Sequence, residues 1–107
     1  MNMTSTTKHI KAKFISDIKE EFADYDDMEL DGIEIPPGFI SAAWHNDTCP
    51  SIINETSGYK IFIDYKEPWH RENSTLLRFS LYKYNSSTDE FDFNFESDNW
   101  FEILAAL

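Results

Sequence analysis

Strict alternation of apolar and polar residues dominates the second half of the chain. In "YKIFIDYK", Tyr59, Ile61, Ile63 and Tyr65 fall on one face and Lys60, Phe62, Asp64 and Lys66 on the other. In "LLRFSLYKY", Leu77, Phe79 and Leu81 oppose Arg78, Ser80 and Tyr82. "FDFNFE" sets Phe91, Phe93 and Phe95 against Asp92, Asn94 and Glu96. A period of two over such lengths predicts strands with one dry and one wet face. "GFISAAWH" and "PSIIN" add two shorter strand candidates. The links "NETSG", "EPWHREN" and "NSSTDE" are short and rich in turn residues, as an antiparallel meander requires.

Both ends of the chain carry the helical period instead. Ile10, Phe14, Ile18 and Phe22 recur every four positions, with Ile15 and Tyr25 beside that stripe. This predicts an amphipathic helix of about four turns. Its lysines come early and its acids late, against the macrodipole, so packing of the apolar stripe must hold it. The last stretch, "SDNWFEILAAL", offers Ser97 or Asp98 as a cap and places Trp100, Ile103, Leu104 and Leu107 at helical spacing. Residues 24–37 read as an acidic connector punctuated by Gly32, Pro36 and Pro37, with Met28, Leu30, Ile33 and Ile35 available to tack it to the body. Residues 1–7, small and polar, read as a frayed tail. The expected architecture is a single α+β domain over residues 1–107. It has an N-terminal amphipathic helix, an antiparallel sheet of four to five strands, and a short C-terminal helix packed on the same sheet face.

Composition supports an independent fold. The chain is 41% hydrophobic and 16% aromatic over 107 residues, enough to bury about two thirds of its surface without staples. Cys49 is the only cysteine, which fits a reducing cytoplasm better than secretion. The first residues hold no apolar signal core, and no apolar run approaches the ~20 residues of a membrane span. Asn2, Asn46, Asn54, Asn73 and Asn85 sit in N-x-S/T triplets. Such triplets also arise by composition in turns, so without a signal segment they do not argue for glycosylation.

Charge changes the picture more. The net charge is −11, and it is unevenly spread. No Lys or Arg occurs from Glu20 to Tyr59 or from Tyr84 onward. Direct nucleic-acid binding and anionic membranes are therefore disfavoured, because both need clustered basic residues. Asp24, Asp26, Asp27, Glu29, Asp31 and Glu34 form one acidic strip. Asp89, Glu90, Asp92, Glu96 and Asp98 form another. Two such strips suit a basic protein partner, presenting carboxylates where phosphates would sit and steering the encounter.

The sharpest chemical candidate lies in "SAAWHNDTCPS". His45, Asp47 and Cys49 alternate there, and His70 follows Trp69 as His45 follows Trp44. Two imidazoles, a carboxylate and a thiolate would suffice for tetrahedral zinc if the two Trp-His pairs met at one end of the sheet. The same letters also read as a turn. Asn46 and Asp47 are turn formers, Pro50 separates two strands, Cys49 is a small buried hydrophobe and Trp44 belongs to the core. The spacing matches no paired zinc-ligand pattern. A Cys-His nucleophile is disfavoured because Pro50 removes the backbone N–H that follows the cysteine, a usual oxyanion donor. Arg78, on an otherwise neutral strand face, suits either a cross-strand partner among Asp92, Asn94 and Glu96 or an anchor at a binding surface.

The sequence thus points to a non-catalytic protein–protein interaction module, an inhibitor or nucleic-acid mimic for a basic partner, with no cofactor implied. The alternative is a metal-binding or Cys-His site at His45, Asp47, Cys49 and His70. A homodimer through a strand edge or aromatic patch is a third arrangement that the pattern permits.

Overall fold

A computed structural model of the chain describes residues 14–25 and 27–107. Five strands form one antiparallel meander: β1 (Ile40–Ser41), β2 (Ser51–Asn54), β3 (Tyr59–Ile63), β4 (Phe79–Asn85) and β5 (Glu90–Ser97). They lie in sequence order, each paired to the next. A helix covering residues 14–21, α1, precedes the sheet, and α2 (Trp100–Ala105) follows it. The predicted α+β architecture is therefore present. Ile10 of the apolar stripe and the expected frayed tail lie outside the described residues.

Cross-strand partners share a face, so the register sorts the side chains. The inner face carries Ile52, Ile61, Ile63, Phe79 and Leu81, all buried. α1 lays Phe14 and Ile18 into the same core, Phe22 follows them just past its end, and α2 adds Trp100 and Ile103. Spacing of three and four residues turns these side chains toward one side of each helix. Burial of this face supplies the main driving force for folding.

The segment from Asp24 to Pro37 is more than a connector. It contains a 3-10 turn at Asp27–Leu30 and buries Tyr25, Leu30, Ile33 and Ile35, while Met28 stays exposed. Several side-chain bonds strap it to the body. The Tyr25 hydroxyl donates to the Ile63 carbonyl at 3.1 Å, and the Trp100 indole N–H donates to the Glu34 carbonyl at 3.0 Å. The Glu29 carboxylate accepts from the Lys66 backbone N–H at 2.7 Å, and the Arg78 guanidinium donates to the Glu29 carbonyl.

Two turns repeat one design. The Asn54 side chain accepts from the N–H groups of Thr56 and Ser57, and Gly58 closes the turn at φ 81°. The Asn85 side chain accepts from the Ser87 N–H, and Asp89 closes that turn at φ 57°. Asparagine initiates such turns by mimicking the backbone, and the closing residue must adopt the left-handed region. At the other end of β5, the helix cap differs from expectation. Asn99, not Ser97 or Asp98, caps α2 by accepting from the Phe101 N–H at 2.9 Å. Ser97 supports that cap, accepting from the Asn99 N–H and donating to the Glu102 carboxylate.

The largest departure from the sequence pattern is a β-bulge. Leu81 pairs with Phe95, but Tyr82 pairs with Phe93, which leaves Asn94 as an extra residue in β5. A bulge inserts one residue without a partner and so reverses the alternation beyond it. Phe95 therefore packs on the core, while Phe93 and Phe91 emerge on the outer face with Tyr82 and Tyr84. The expectation that the three phenylalanines share the dry face is corrected here.

Candidate functional site

Residues 45–49 are turns and bends. The Asp47 N–H bonds to the Trp44 carbonyl at 2.9 Å, and Pro50 leads into β2. Trp44 is half exposed rather than core, and its indole packs on the His45 ring with centroids 4.3 Å apart. His45 reaches across to α1, where its Nδ1 lies 2.8 Å from the Glu21 carboxylate. His70 instead follows β3 in a short 3-10 turn, with its ring against Tyr65 and Trp69. Cys49 is buried, and burial, with the Asp64 carboxylate adding, pushes its thiol up to about 12. Such a thiol stays protonated at neutral pH and is a poor nucleophile or ligand. Among the described residues, no three His, Cys, Asp or Glu side chains gather as a metal-binding group. Among the described residues the four zinc candidates do not come together as one ligand group; His45 turns to Glu21 and His70 packs on Tyr65 and Trp69.

Some acidic side chains brace the fold and others face solvent, Asp92 among the latter while accepting from the Asn85 amide at 2.9 Å. Glu29 is only 8% exposed and spends its carboxylate on the Lys66 N–H, so it is an internal strut and not part of an outward surface. Asp24 accepts from the Tyr65 hydroxyl at 3.0 Å, and Asp98 accepts from the Arg78 N–H at 2.9 Å. Asp31, Glu34, Glu90, Asp92 and Glu96 are exposed. Asp27 opens the 3-10 turn, and Asp26 lies outside the described residues. Asp89 closes the β4–β5 turn and meets the Tyr84 hydroxyl. Because of the bulge, the second strip does not occupy one face. Glu90 and Asp92 pair with Asn85 and Lys83 on the inner side, whereas Glu96 pairs with Ser80 on the outer side. Arg78 takes neither expected role. Its guanidinium bonds the carbonyls of Asp64 and Glu29 and lies over the Phe79 ring, clamping the sheet to the acidic segment.

The outer face of the sheet holds the most coherent surface. Register places Ile40, Ile53, Lys60, Phe62, Tyr82, Tyr84, Phe91 and Phe93 on it. The rings form a ladder across three strands. Phe62 meets Tyr82 at 5.5 Å, Tyr82 meets Phe93 at 5.7 Å, and Tyr84 meets Phe91 at 5.6 Å, all edge to face. The Lys60 ammonium sits 5.0 Å from the Phe62 centroid and 5.3 Å from that of Phe91, so these rings already receive a cation. No described helix covers this side. Phe93 is 57% exposed, Ile40 51% and Tyr84 40%. A shallow cavity of about 140 Å³ adjoins the ladder, with Phe62, Tyr82, Cys49 and Asp64 among its lining residues. Burial raises the Asp64 carboxyl above its ordinary value, against the opposing pull of the Tyr65 N–H and of Arg71 and Arg78.

The sequence held a partial signal for this face: Phe62, Tyr82 and Tyr84 stand at positions whose neighbours in the alternation are polar. It held none for Phe91 and Phe93, which alternate with the pattern and cross over only because of the bulge.

Together these features define an antiparallel α+β domain whose two described helices pack on one sheet face, while among the described residues no helix covers the aromatic face. Comparison with known families, characterised proteins and solved structures finds no match to this chain. No helix among the described residues is long and apolar enough to cross a membrane.

Proposed function

We propose that the protein is a non-catalytic protein–protein interaction module that binds a basic partner, as a small acidic inhibitor or nucleic-acid mimic would. The observation that carries this reading is the aromatic ladder on the uncovered sheet face, in a chain of net charge −11. Exposed aromatic rings are the usual anchors of binding surfaces, and a contiguous apolar patch on a soluble domain marks an interaction site. On β5, which carries Phe91 and Phe93, the exposed carboxylates of Glu96 on the same outer face and of Glu90 and Asp92 on the inner side of the strand edge steer the approach of a cationic partner. A single cysteine, which rules out an intrachain disulfide, fits a reducing, cytoplasmic compartment and belongs to the same proposal.

The test is capture on immobilised protein at low salt, identification of the partner, and titration of the purified pair. The partner should be basic, and its affinity should fall at least about ten-fold between roughly 50 and 200 mM salt. A neutral or acidic partner, or a salt-insensitive complex, refutes the proposal.

A further inference from the structure

β5 forms one edge of the sheet, and among the described residues only β4 pairs with it. Alternate residues of an edge strand direct their N–H and C=O groups away from the sheet, which makes the edge a template for another strand. Proteins blunt such an edge by shortness, proline, cover, a bulge or inward-pointing charges. β5 is the longest strand, with eight residues and no proline, and its protection is the bulge together with the inner-side acids Glu90 and Asp92, which repel an acidic strand but not a basic one. Residues 90–93 occupy its hairpin end, remote from α2, which begins just beyond the opposite end.

The faces of this short stretch are chemically opposite. Phe91 and Phe93 stand on the outer side, and Glu90 and Asp92 on the inner side. All four are exposed. Alternation separates the two pairs, and the bulge at Asn94 decides that the rings take the outer side. A second copy of β5 fits the edge badly, because a two-fold antiparallel pairing that keeps the outer faces together sets Glu90 or Asp92 opposite an acid or Asn94 of the other copy. Like charges directly opposed destabilise a strand pair.

We propose that β5 accepts an extended basic segment of the partner as an added antiparallel strand, in register with residues 90–93. This rests on the preceding reading that the partner is basic. The segment alternates cationic side chains, which face Glu90 and Asp92, with apolar or aromatic ones, which extend the ring ladder beyond Phe91 and Phe93. Main-chain hydrogen bonds supply affinity and the alternation supplies specificity.

The probe is a blocked peptide of about eight residues alternating lysine and valine, measured by fluorescence anisotropy at about 50 mM salt. One control has the same composition in two blocks, lysines then valines. A second is the alternating peptide with backbone N-methylation at every other residue, which removes outward donors. The alternating peptide should bind at least about ten-fold more tightly than either control. Hydrogen exchange should slow in residues 90–93 and not elsewhere in the sheet. Phe93→Ser should weaken binding several-fold, and the double variant Glu90→Gln, Asp92→Asn should do likewise. Phe101→Ser, which removes a still more exposed ring on α2, should leave binding unchanged.

Equal binding of all three peptides overturns strand addition while the basic-partner reading stands. Failure of every peptide, with a basic partner still captured, also overturns strand addition alone. Failure of the peptides together with the absence of any basic partner overturns both. Slowed exchange at residues 90–93 that depends on protein concentration without peptide assigns the edge to a second copy and overturns the choice of occupant.

Discussion

Deleting Asn94 tests the feature on which the outer face depends. Asn94 is the residue that β5 has in excess of β4, lying between the pairs Leu81–Phe95 and Tyr82–Phe93. Removing it leaves both pairs intact and restores a regular ladder. Phe95 stays on the core, and Phe91 and Phe93, already 36% and 57% exposed, stay outside. No large side chain changes face, so stability should change by less than about 1 kcal/mol, within the range of local bulge and denatured-state effects. An unbroken alternation predicts something different. There, all three rings begin on the dry face, and the deletion turns residues 90–93 over. Two phenylalanines leave the core at about 1.5–3 kcal/mol each, a loss of roughly 3–6 kcal/mol. Urea unfolding followed by tryptophan fluorescence separates the two cases, provided that the m-value is unchanged. A loss of about 3 kcal/mol or more refutes the bulged register, and with it the aromatic face and the strand-addition site.

Three further outcomes follow from the same geometry. Tyr25→Phe removes the bond to the Ile63 carbonyl from a fully buried site and should cost about 1–2 kcal/mol in equilibrium unfolding; an unchanged midpoint would show that the hydroxyl contributes nothing to the strap. The Cys49 thiol is raised from 9.0 to about 12 in the fold. The unfolded chain therefore releases this proton first, and stability should fall with pH above about 9, by up to roughly 1.4 kcal/mol per pH unit. Cys49→Ala should show a shallower slope than the parent between about pH 8.5 and 10, and identical slopes would contradict the assigned burial. Asp89→Gly puts glycine where φ is 57°, as Gly58 already stands at the matching place in the other turn. It should raise Tm by a few degrees; a clear fall would mean that the Tyr84–Asp89 contact outweighs the backbone conformation.

The meander was readable because its signals are local. Alternation in "YKIFIDYK" and "LLRFSLYKY" fixes which residues point together, and the Asn-led links fix where the chain reverses. The core positions Ile61, Ile63, Phe79 and Leu81 were legible for that reason, as were Phe14, Ile18, Trp100 and Ile103 from helical spacing. The acidic segment was half legible. Leu30, Ile33 and Ile35 are buried as their hydrophobicity suggests. Nothing in the letters distinguishes Glu29, which turns inward to the Lys66 N–H, from Asp31, which stays in water.

The candidate site was legible in its ingredients and not in its arrangement. By itself the sequence determined the class of fold, the order and approximate places of the strands and helices, and the excess of negative charge, because each depends on residues close together along the chain; the expected strand "GFISAAWH" shrinks to Ile40–Ser41. Tertiary structure alone decided that His45, Cys49 and His70 do not gather into one ligand group and that Arg78 is a clamp. It also decided that one extra residue at Asn94 sends Phe91 and Phe93 to the open side of the sheet. Those outcomes depend on which segments lie beside each other and on the register at which two strands lock, and a one-residue difference there moves every side chain beyond it to the opposite face.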